Sequence, residues 1–532
     1  MYILSIEEDA LVASITLIDP KCDPSFWRFD HALPMFHKRA TMPSAALPLV
    51  AALTPPEHQI TLLDENVEPI DFERLAKSDI VCLTGMSVQR YRMVEILKEF
   101  KRRGCFTAVG GAWVTVKEDH FGELADVIFV GEAEESWPRF LKDWAQGRHQ
   151  KRYEQAEKTD MRQVPMPRYD LLKMDRYLFG GIQLTRGCPY QCEFCDIIVT
   201  FGRRMRIKTV EQILAELELL YAHKIRLGMV VDDNLIGNRK LIKAVLPEIA
   251  AWQRRRGFPL LFATQVSLDL AEDEEMMRLM LDANISIVFI GIESPNEEAL
   301  RETKKFQNVS KKRSILERIH HVQNAGFEVT CGMILGFDHD DASIFEWHRQ
   351  FIQASHITEA LVGMLFAIPK TPLYSRLAAD GRLDTADRSE FGTNVIPLRM
   401  SREALRNNYV KLMKQVYHPE AYFERLENFI ARGGIQFTPN HAQYLREHSL
   451  AYLLTQSKYL VSSLFLFYEL MRRVADPALR AEYRRRLLHA LRAWRRPFAF
   501  FFYAFKCAMH YHYYSLIREM PEHVSPVYSS YQ

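Results

Sequence analysis

The first 150 residues alternate short apolar runs with stretches of helical period. Apolar runs of strand length lie at residues 2–6, 60–63, 80–84, 106–109 and 127–130. Between two of these runs, residues 90–103 carry apolar side chains at helical spacing, from Met93 to Phe100. Strands that alternate with helices favour a parallel sheet with crossover helices. We therefore expect an α/β domain over residues 1–150.

A polar stretch at residues 151–178, with Pro165 and Pro167 close together, predicts a linker. After it, the chain repeats a unit of strand and helix up to residue 375. We expect strands at residues 181–185, 228–232, 260–265, 287–292, 329–334 and 361–367. Helical patterns separate them at 210–221, 239–254, 274–282 and 311–325. The repetition predicts a partial (β/α)6 barrel or a long open sheet over residues 179–375, with function at the carboxyl ends of the strands.

The pattern changes again over residues 376–532, which become helical and predict a helical C-terminal domain. The stretch 453–471 is apolar but is interrupted by polar residues. Residues 483–514 combine clustered arginines with the aromatic sequence PFAFFFYAF. This composition is typical of a segment at a membrane interface. The alternative is a helix that packs on the barrel and leaves its arginines in solvent.

Composition and charge exclude several classes of protein. The 532 residues are 48% hydrophobic and 26% charged, an ordinary globular balance. A formal charge of +2 gives no electrostatic case for nucleic acid as a partner. We find no signal peptide at the N-terminus and no apolar run long enough to span a membrane. We expect a cytoplasmic protein, with peripheral contact to the inner face of the membrane if residues 483–514 bind lipid.

Three of the eight cysteines, Cys188, Cys192 and Cys195, crowd into one loop after a predicted strand. Thiolates are the usual ligands of iron–sulfur clusters, and three of them leave one iron of a [4Fe–4S] cube without a protein ligand. A zinc site is the alternative. It needs a fourth ligand, for which His223 and Cys331 are candidates without paired spacing. The scattered remaining cysteines fit a reduced cytosolic protein.

The C-x3-C-x2-C loop resembles that of radical S-adenosylmethionine (SAM) enzymes, and the preceding domain resembles the Rossmann-like cobalamin-binding domain fused to some of them. The resemblance covers residues 1–375. It implies that the three cysteines hold the cluster, that the open iron binds SAM, and that SAM yields the radical that attacks the substrate. Further SAM contacts are implied at Phe194, Asp232, Gln265, Glu293, Ser294 and Leu335. For Asp232 and Glu293 a capping or buried ion-pair role is the alternative.

The same resemblance implies where cobalamin binds. Ligands of open α/β sheets lie outside the carboxyl ends of the strands, and we expect Thr84, Gly110 and Gly111 to contact the corrin there. The Asp-x-His-x-x-Gly motif that would supply a histidine below cobalt is missing, since residues 64–67 are its nearest counterpart and contain no histidine. Whether a protein residue ligates the lower face of cobalt stays open. Cluster, SAM and cobalamin together imply methylation of a carbon that is not a nucleophile.

The layout of three parts resembles that of the hopanoid C-2 methylases. It implies a hydrophobic lipid substrate and a reductant protein such as a flavodoxin or ferredoxin. The alternatives are another cobalamin-dependent radical SAM enzyme, either a cyclase or a natural-product methylase, and a non-enzymatic carrier of the cluster or of cobalamin. A tRNA methylthiotransferase is disfavoured because Cys22, Cys82 and Cys105 are not arranged for a second cluster.

Overall fold

The computed structural model describes residues 12–309, 312–386, 392–434, 436–494 and 496–520. The strand predicted at residues 2–6 lies outside them. The chain divides into two units that interleave along the sequence. Unit one takes the described residues up to 22 and then 44–173, whereas unit two takes 23–43 and the described residues from 174 onward.

Unit one is built on a six-stranded parallel sheet with the order β2-β1-β3-β4-β5-β6. Its strands are β1 (Ser14–Asp19), β2 (Gln59–Asp64), β3 (Ile80–Thr84), β4 (Thr107–Gly110), β5 (Val127–Val130) and β6 (Arg152–Glu154). The central strands β1 and β3 are buried almost throughout, as parallel strands between two helical layers usually are. The predicted α/β class is confirmed. The apolar pattern misses β1 because Ser14, Thr16 and Asp19 interrupt it.

Five helices cover this sheet in the described part of unit one. They are α1 (Ala46–Leu53), α2 (Phe72–Leu75), α3 (Arg90–Arg102), α4 (Ala112–Val116) and α5 (Ser136–Ala145). Helix α3 buries Met93 and Phe100 with the two apolar residues between them, which is the face that the periodicity predicts. On α5, Trp137 and Phe140 pack against Phe129 of β5, with ring centroids 5.5 and 5.3 Å away.

The linker predicted over residues 151–178 requires a correction. Residues Arg152–Glu154 form β6, which pairs in parallel with β5. Tyr153 is buried between Phe129 and Phe140, and this single aromatic side chain makes an otherwise polar stretch part of the sheet. At the other end, Tyr177 forms a parallel bridge with Ala40 inside unit two.

Residues 23–43 also depart from the predicted boundary, because they belong to unit two rather than to the N-terminal domain. Phe26 stacks between Tyr417 and Tyr513, with ring centroids 6.1 and 5.9 Å away. The Ser25 carbonyl oxygen lies 3.0 Å from Nε2 of His512. These contacts tie the segment to the C-terminal helices, which are distant in sequence, so no local pattern reveals them.

Unit two contains a second six-stranded parallel sheet, ordered β14-β13-β12-β11-β10-β7, and a small antiparallel pair of β8 with β9. The strands are β7 (Phe179–Ile182), β8 (Thr185–Arg186), β9 (Arg206–Ile207), β10 (Leu227–Val230), β11 (Leu261–Val266), β12 (Ile285–Glu293), β13 (Glu328–Leu335) and β14 (Ala360–Met364). The sheet matches the predicted run of six βα units, and its strands lie in sequence order. The pair β8/β9 is too short to leave a pattern in the sequence.

Helices separate these strands and then continue alone to the end of the described chain. They are α6 (Ile197–Thr200), α7 (Val210–Ala222), α8 (Arg239–Arg256), α9 (Glu274–Asp282), α10 (Glu297–Glu302), α11 (Ile315–Asn324), α12 (Ile344–Ser355), α13 (Pro372–Ala379), α14 (Arg402–Val416), α15 (Pro419–Ala431), α16 (Pro439–Glu447), α17 (Ser449–Arg473), α18 (Pro477–Trp494) and α19 (Pro497–Glu519). The helical C-terminal domain is as predicted.

The membrane-interface interpretation of residues 483–514 is wrong for α19, which forms the larger part of that segment. Phe500, Tyr503 and Tyr513 are buried against the helices around them. Phe423 of α15 stacks on Tyr503, with centroids 5.8 Å apart. The aromatic run is therefore packed against other helices, with Phe500 and Tyr503 in the core. Across the described residues, no helix combines the length and hydropathy needed to cross a bilayer.

Candidate active site

The loop that carries the three cysteines follows β7 and is closed at its base by the β8/β9 pair. Gly187 begins the loop with a φ of +96°, and a Cβ there would lie 2.8 Å from the Arg204 carbonyl oxygen. The Cys188 backbone N–H donates to the Gly202 carbonyl at 3.2 Å. Only glycine fits this close approach with a positive φ. The loop thus enters and leaves through one narrow neck.

The cysteines share one electrostatic environment. Burial raises the pKa of Cys188 and Cys195, and the neighbouring thiols raise it further. Among the described residues, no three Cys, His, Asp or Glu side chains are grouped tightly enough for a single metal ion. Metal binding would deprotonate the thiols despite their burial.

Two carboxylates after β10 hold the neck of this loop. Asp232 is fully buried, and its two oxygens accept hydrogen bonds from the Leu184 backbone N–H at 2.8 Å and the Thr185 hydroxyl at 2.7 Å. Asp233 accepts from the Gly187 backbone N–H at 2.8 Å. Burial raises the pKa of Asp232 to about 7 and that of Asp233 to about 6, against these hydrogen bonds. Both oxygens of Asp232 position the loop, and the SAM contact implied for this residue stays a prediction.

A buried ion pair faces the cysteines from the end of β12. Lys305 Nζ lies 2.7 Å from Oε1 of Glu293. Burial lowers the pKa of Lys305, but Glu293 and the thiols of Cys192 and Cys195 more than offset this and raise it overall. Gln307 donates from Nε2 to Cys192 Sγ at 3.5 Å. Glu293 therefore has the buried ion-pair role that the sequence left as an alternative, and Lys305 places positive charge beside the thiols.

The backbone at the same strand end is irregular. The register of β12 with β13 shifts between Gly291 and Glu293, and Glu293 has a φ of +66°. Asn308 Nδ2 donates to the carbonyl oxygens of Gly291 and Ile292, at 2.7 and 2.9 Å, which holds the bulge in place. A left-handed conformation at a non-glycine residue costs about 1–3 kcal/mol and is typical of functional sites.

The cysteine loop is also fastened to the ends of other strands. Glu193, between two of the cysteines, donates its backbone N–H to the Thr303 carbonyl and accepts from the Leu373 backbone N–H, both at 3.0 Å. Arg376 on α13 contacts the carboxylates of Glu193, Glu302 and Asp338. The loop is held by the segments after β12 and β14 as well as by its own neck.

Among the remaining predicted SAM residues, Phe194 is partly exposed and packs against Phe337, with centroids 6.3 Å apart. Ser294 and Leu335 have no exposed surface. The Ser294 hydroxyl accepts from the Asn296 backbone N–H at 3.1 Å, and the Leu335 carbonyl accepts from the Leu365 N–H at 2.8 Å. The SAM contacts implied for Phe194, Ser294 and Leu335 stay predictions.

Gln265 lies on the face of the sheet that the helices do not cover. A Cβ at Gly180 would meet Leu220 of α7, so the side of the sheet to which Gly180 points faces the helices. Strand register puts Phe262 on that same side, and Gln265, three residues later on β11, points to the opposite side. Strand register places Gln265 directly beside Phe289 on this second face. Trp27 covers Phe289, with centroids 4.9 Å apart. Within the described residues, the Gln265 amide has no hydrogen-bonding partner.

The carboxyl edge of the sheet in unit one brings Thr84, Gly110 and Gly111 together. Thr84 and Gly110 are register partners on β3 and β4. Gly111 has a φ of +98°, and a Cβ on it would lie 2.5 Å from Thr84 Oγ1 and 2.9 Å from the Gly85 nitrogen. The strand order 2-1-3-4-5 reverses between β1 and β3, which is where such sheets bind ligands. Gln89 braces this crevice by donating to Asp19 at 2.8 Å.

Sequence reasoning missed Lys305, Gln307 and Arg376 as residues of the site. Lys305 and Gln307 lie in the polar sequence KKFQN beyond α10, which resembles an exposed turn. Their burial depends on the bulge at the end of β12, and no local pattern predicts it.

Comparison with known proteins agrees with this geometry. The pattern of the Radical SAM superfamily matches residues 182–352, and a domain of unknown function, DUF4070, matches residues 371–525. The structure of the cobalamin-dependent SAM radical enzyme OxsB with aqua-cobalamin bound has a similar fold. Its TM-score is 0.61 at 14% identity, over 83% of this chain and 76% of that chain.

Two relatives match most of the sequence. An uncharacterized methyltransferase from Synechocystis sp. (strain PCC 6803) is 36% identical over 77% of this chain and 77% of its own length. The hopanoid C-2 methylase of Rhodopseudomonas palustris (strain TIE-1) is 35% identical over 78% of this chain and 79% of its own length. On these matches, the chain belongs to the radical SAM superfamily, in the methyltransferase family that these two relatives represent.

Proposed function

We propose that the protein is a cobalamin-dependent radical SAM methyltransferase that adds a methyl group to an unactivated carbon of a lipid, namely C-2 of hopanoids. The observation that carries this proposal is the similarity to a hopanoid C-2 methylase across most of both chains. The match extends beyond the superfamily core, since it includes more than the 182–352 region shared by all radical SAM proteins.

Cys188, Cys192 and Cys195 are the residues that would hold the [4Fe–4S] cluster. The donor set fits, because three thiols lie in one fastened loop and the buried Lys305 compensates the charge that they acquire on binding iron. Gln307 donates a hydrogen bond toward Cys192. When bound, cluster and SAM together supply the radical that removes a hydrogen atom from an unreactive carbon. We propose Phe194 and Gln265 as the predicted residues that contact SAM.

Thr84, Gly110 and Gly111 would hold cobalamin in unit one. The residues fit because glycines and backbone form the edge of β3 and β4, where a Cβ on Gly111 would fill the available space. Met86 beside them is 42% exposed, and the buried Trp113 Nε1 has no hydrogen-bonding partner in the described chain. When bound, cobalamin supplies the methyl group.

A hydrophobic substrate suits the face of the second sheet that the helices do not cover. Its partly exposed side chains include Met229, Ala263, Ile287 and Phe289, with Gln265 as the polar neighbour. Apolar walls with a few placed polar groups are typical of sites for small apolar ligands. Such walls also exclude water from a reactive intermediate. We propose that electrons come from a flavodoxin or ferredoxin.

Anaerobic incubation of the loaded protein with diploptene, SAM and a reductant tests the proposal. We expect a 2-methylated hopanoid, detected by mass spectrometry of the extracted lipids, and its disappearance from a deletion strain. If iron, sulfide and cobalamin are present in full and no methylated hopanoid forms, the hopanoid assignment is wrong. Turnover of SAM without lipid product would then favour the second candidate, a methylase of another hydrophobic substrate, which the equally similar uncharacterized methyltransferase leaves open.

A further inference from the structure

Helix α17 presents an apolar stripe to solvent, interrupted near its middle by the exposed Ser457 and Lys458. Its exposed large hydrophobic side chains are Leu450, Tyr452, Leu453, Leu454, Leu460, Val461, Leu464, Phe465 and Tyr468. Most of these recur at spacings of three and four, so they share one side of the helix. From Leu450 to Tyr468 the stripe is about 27 Å long at 1.5 Å per residue. Exposed apolar surface of this extent marks an interaction site.

The opposite side of α17 is fully occupied, so the stripe is a face left over after packing. Ser463, Leu466 and Leu470 are buried, and Tyr459 packs on Phe498 and Phe501 of α19, with centroids 4.9 and 5.3 Å away. The neighbouring α18 adds exposed Leu488 and Leu491. The helix therefore does not need the stripe to hold its place in unit two.

The segment that carries the stripe is strongly basic. Residues 449–496 contain ten Lys and Arg against three Asp and Glu, a formal charge of +7, whereas the whole chain carries +2. Lys458, Arg484 and Arg492 have no acidic partner among the described residues. Of the three acids, Glu469 is buried and engaged by Arg472 and Arg473. Apolar and positively charged surface thus occur on the same two helices.

We infer that α17 and α18 form a docking surface for an anionic lipid membrane, with the stripe immersed between headgroups and the free basic side chains at the phosphates. A helix that joins apolar surface to Lys and Arg lies in the plane of a membrane interface. A face that pairs with a second copy of the same chain would place this excess of like charge against itself, which disfavours dimerisation. The inference does not depend on which substrate the enzyme methylates.

Flotation of the loaded protein with lipid vesicles tests the inference. We expect binding to vesicles of phosphatidylcholine with phosphatidylglycerol, weaker binding to phosphatidylcholine alone, and loss of binding as salt is raised. The double variant Val461→Glu/Leu464→Glu should lower the vesicle-bound fraction about tenfold or more. These side chains are 67% and 53% exposed, so the substitutions leave the core intact.

The matched control is Leu398→Glu, at a side chain that is 60% exposed but lies outside these helices. It should bind vesicles as the unaltered protein does, and all variants should keep their melting temperature and iron content. Arg484→Gln/Arg492→Gln should weaken binding to the anionic vesicles and leave the weaker binding to phosphatidylcholine unchanged. Equal loss in Leu398→Glu, or absence of vesicle binding, would overturn the inference. Light scattering that shows a dimer broken by Val461→Glu/Leu464→Glu, without vesicle binding, would assign the stripe to a second copy instead.

Discussion

The carboxyl edges of the two parallel sheets occupy the same topological position but differ in their residues, which are small and uncharged in one sheet and ionisable in the other. In unit one the edge consists of glycine, threonine and bare backbone, with Gly111 so close to Thr84 that no side chain fits. In unit two it consists of thiols, buried carboxylates and a buried lysine, with Asp232 hydrogen-bonded through both oxygens and Lys305 paired with Glu293. Both edges are where open parallel sheets bind ligands.

This difference indicates what each edge can hold. A surface of backbone and small residues accommodates a large ligand through shape and hydrogen bonds, and it adds little charge of its own. An edge with buried ionic groups instead sets the charge around the bound ligand, because the low dielectric constant strengthens each electrostatic interaction. The first arrangement suits a macrocycle and the second suits an iron–sulfur cluster. Variants that affect one edge and spare the other test the contrast.

The largest effect should come from Cys192→Ala. Removing one of three cluster ligands should abolish bound iron, because the two remaining thiols cannot hold the cube, and should lower methyl transfer by at least about a thousandfold. Iron and sulfide analysis after anaerobic reconstitution measures the first effect, and product formation measures the second. The control Cys507→Ala removes another buried thiol, on α19, and should retain iron. Full cluster content in Cys192→Ala would refute the ligand assignment.

The next largest effect should come from Lys305→Met. The substitution leaves Glu293 as an unpaired buried charge, at a cost of about 3–5 kcal/mol in stability. It also removes positive charge beside the thiols, so the cluster should become harder to reduce. The adjacent Lys304→Met is the matched control. That side chain is 48% exposed in its pair with Glu193, and its loss should cost about 1 kcal/mol or less.

The double variant Lys305→Met/Glu293→Gln separates the electrostatic effect from damage to the fold. It should recover most of the lost stability, because no buried charge remains unpaired. Its reduction potential should lie between those of Lys305→Met and the unaltered protein, because loss of the Glu293 carboxylate offsets part of the lost positive charge. Thermal unfolding and an anaerobic redox titration give the two readings. If the potential of Lys305→Met equals that of the unaltered protein, Lys305 acts through packing and not through its charge.

In unit one, Gly111→Ala should weaken cobalamin binding and leave the iron content unchanged. A Cβ at this position meets the backbone of Gly85 at 2.9 Å and carries the strain of a φ of +98°, about 1–3 kcal/mol before any shift of the strand end. We expect an affinity lower by about tenfold to a hundredfold. Gly147→Ala has a φ of +66° but no atom within 4 Å of the new Cβ. Gly147→Ala should retain its affinity for cobalamin. An equal loss of affinity in both variants would mean that backbone strain, and not the contact with Gly85, lowers cobalamin binding.

The contrast between the two edges was only partly readable from the sequence. The strands of both sheets and the three cysteines could be predicted, because apolar runs and ligand spacing are local signals. For Glu293 and Asp232 the sequence left open a SAM contact or a capping or buried ion-pair role, and each side chain is engaged by another part of the chain, Lys305 or Leu184. Partners distant in sequence decide whether a strand-end carboxylate faces a ligand, and no periodicity records them.

The C-terminal helices show that composition also fails to predict which helix face is buried. Composition left open whether the aromatic and arginine-rich segment of α19 lies at a membrane interface or packs on the protein, and Tyr503 and Phe500 are core. The exposed apolar stripe lies on α17, whose serines and Lys458 make it look less hydrophobic in sequence. Total hydrophobicity does not reveal which face a neighbouring helix covers.

The smallest predicted effect concerns pH and Asp232. Its pKa is raised by burial from 3.8 to about 7, so this carboxyl favours the folded state while it is protonated. The contribution is complete below pH 3.8 and is lost as the pH rises through about 7. Asp232→Asn keeps the group neutral, and its amide can accept from the Leu184 N–H and donate to the Thr185 hydroxyl.

The variant should therefore match the unaltered protein below about pH 4 and melt at a higher temperature near about pH 8, with the slope of stability against pH reduced between these values by up to about 1.4 kcal/mol per pH unit. Asp232→Ala leaves the Leu184 N–H without a partner and should cost about 1–3 kcal/mol at every pH. Melting curves of all three proteins across this range decide the matter. If Asp232→Asn is instead the less stable protein at high pH and loses iron, Asp232 acts in its charged form. The carboxylate would then contribute to cluster binding and not only to the position of the loop.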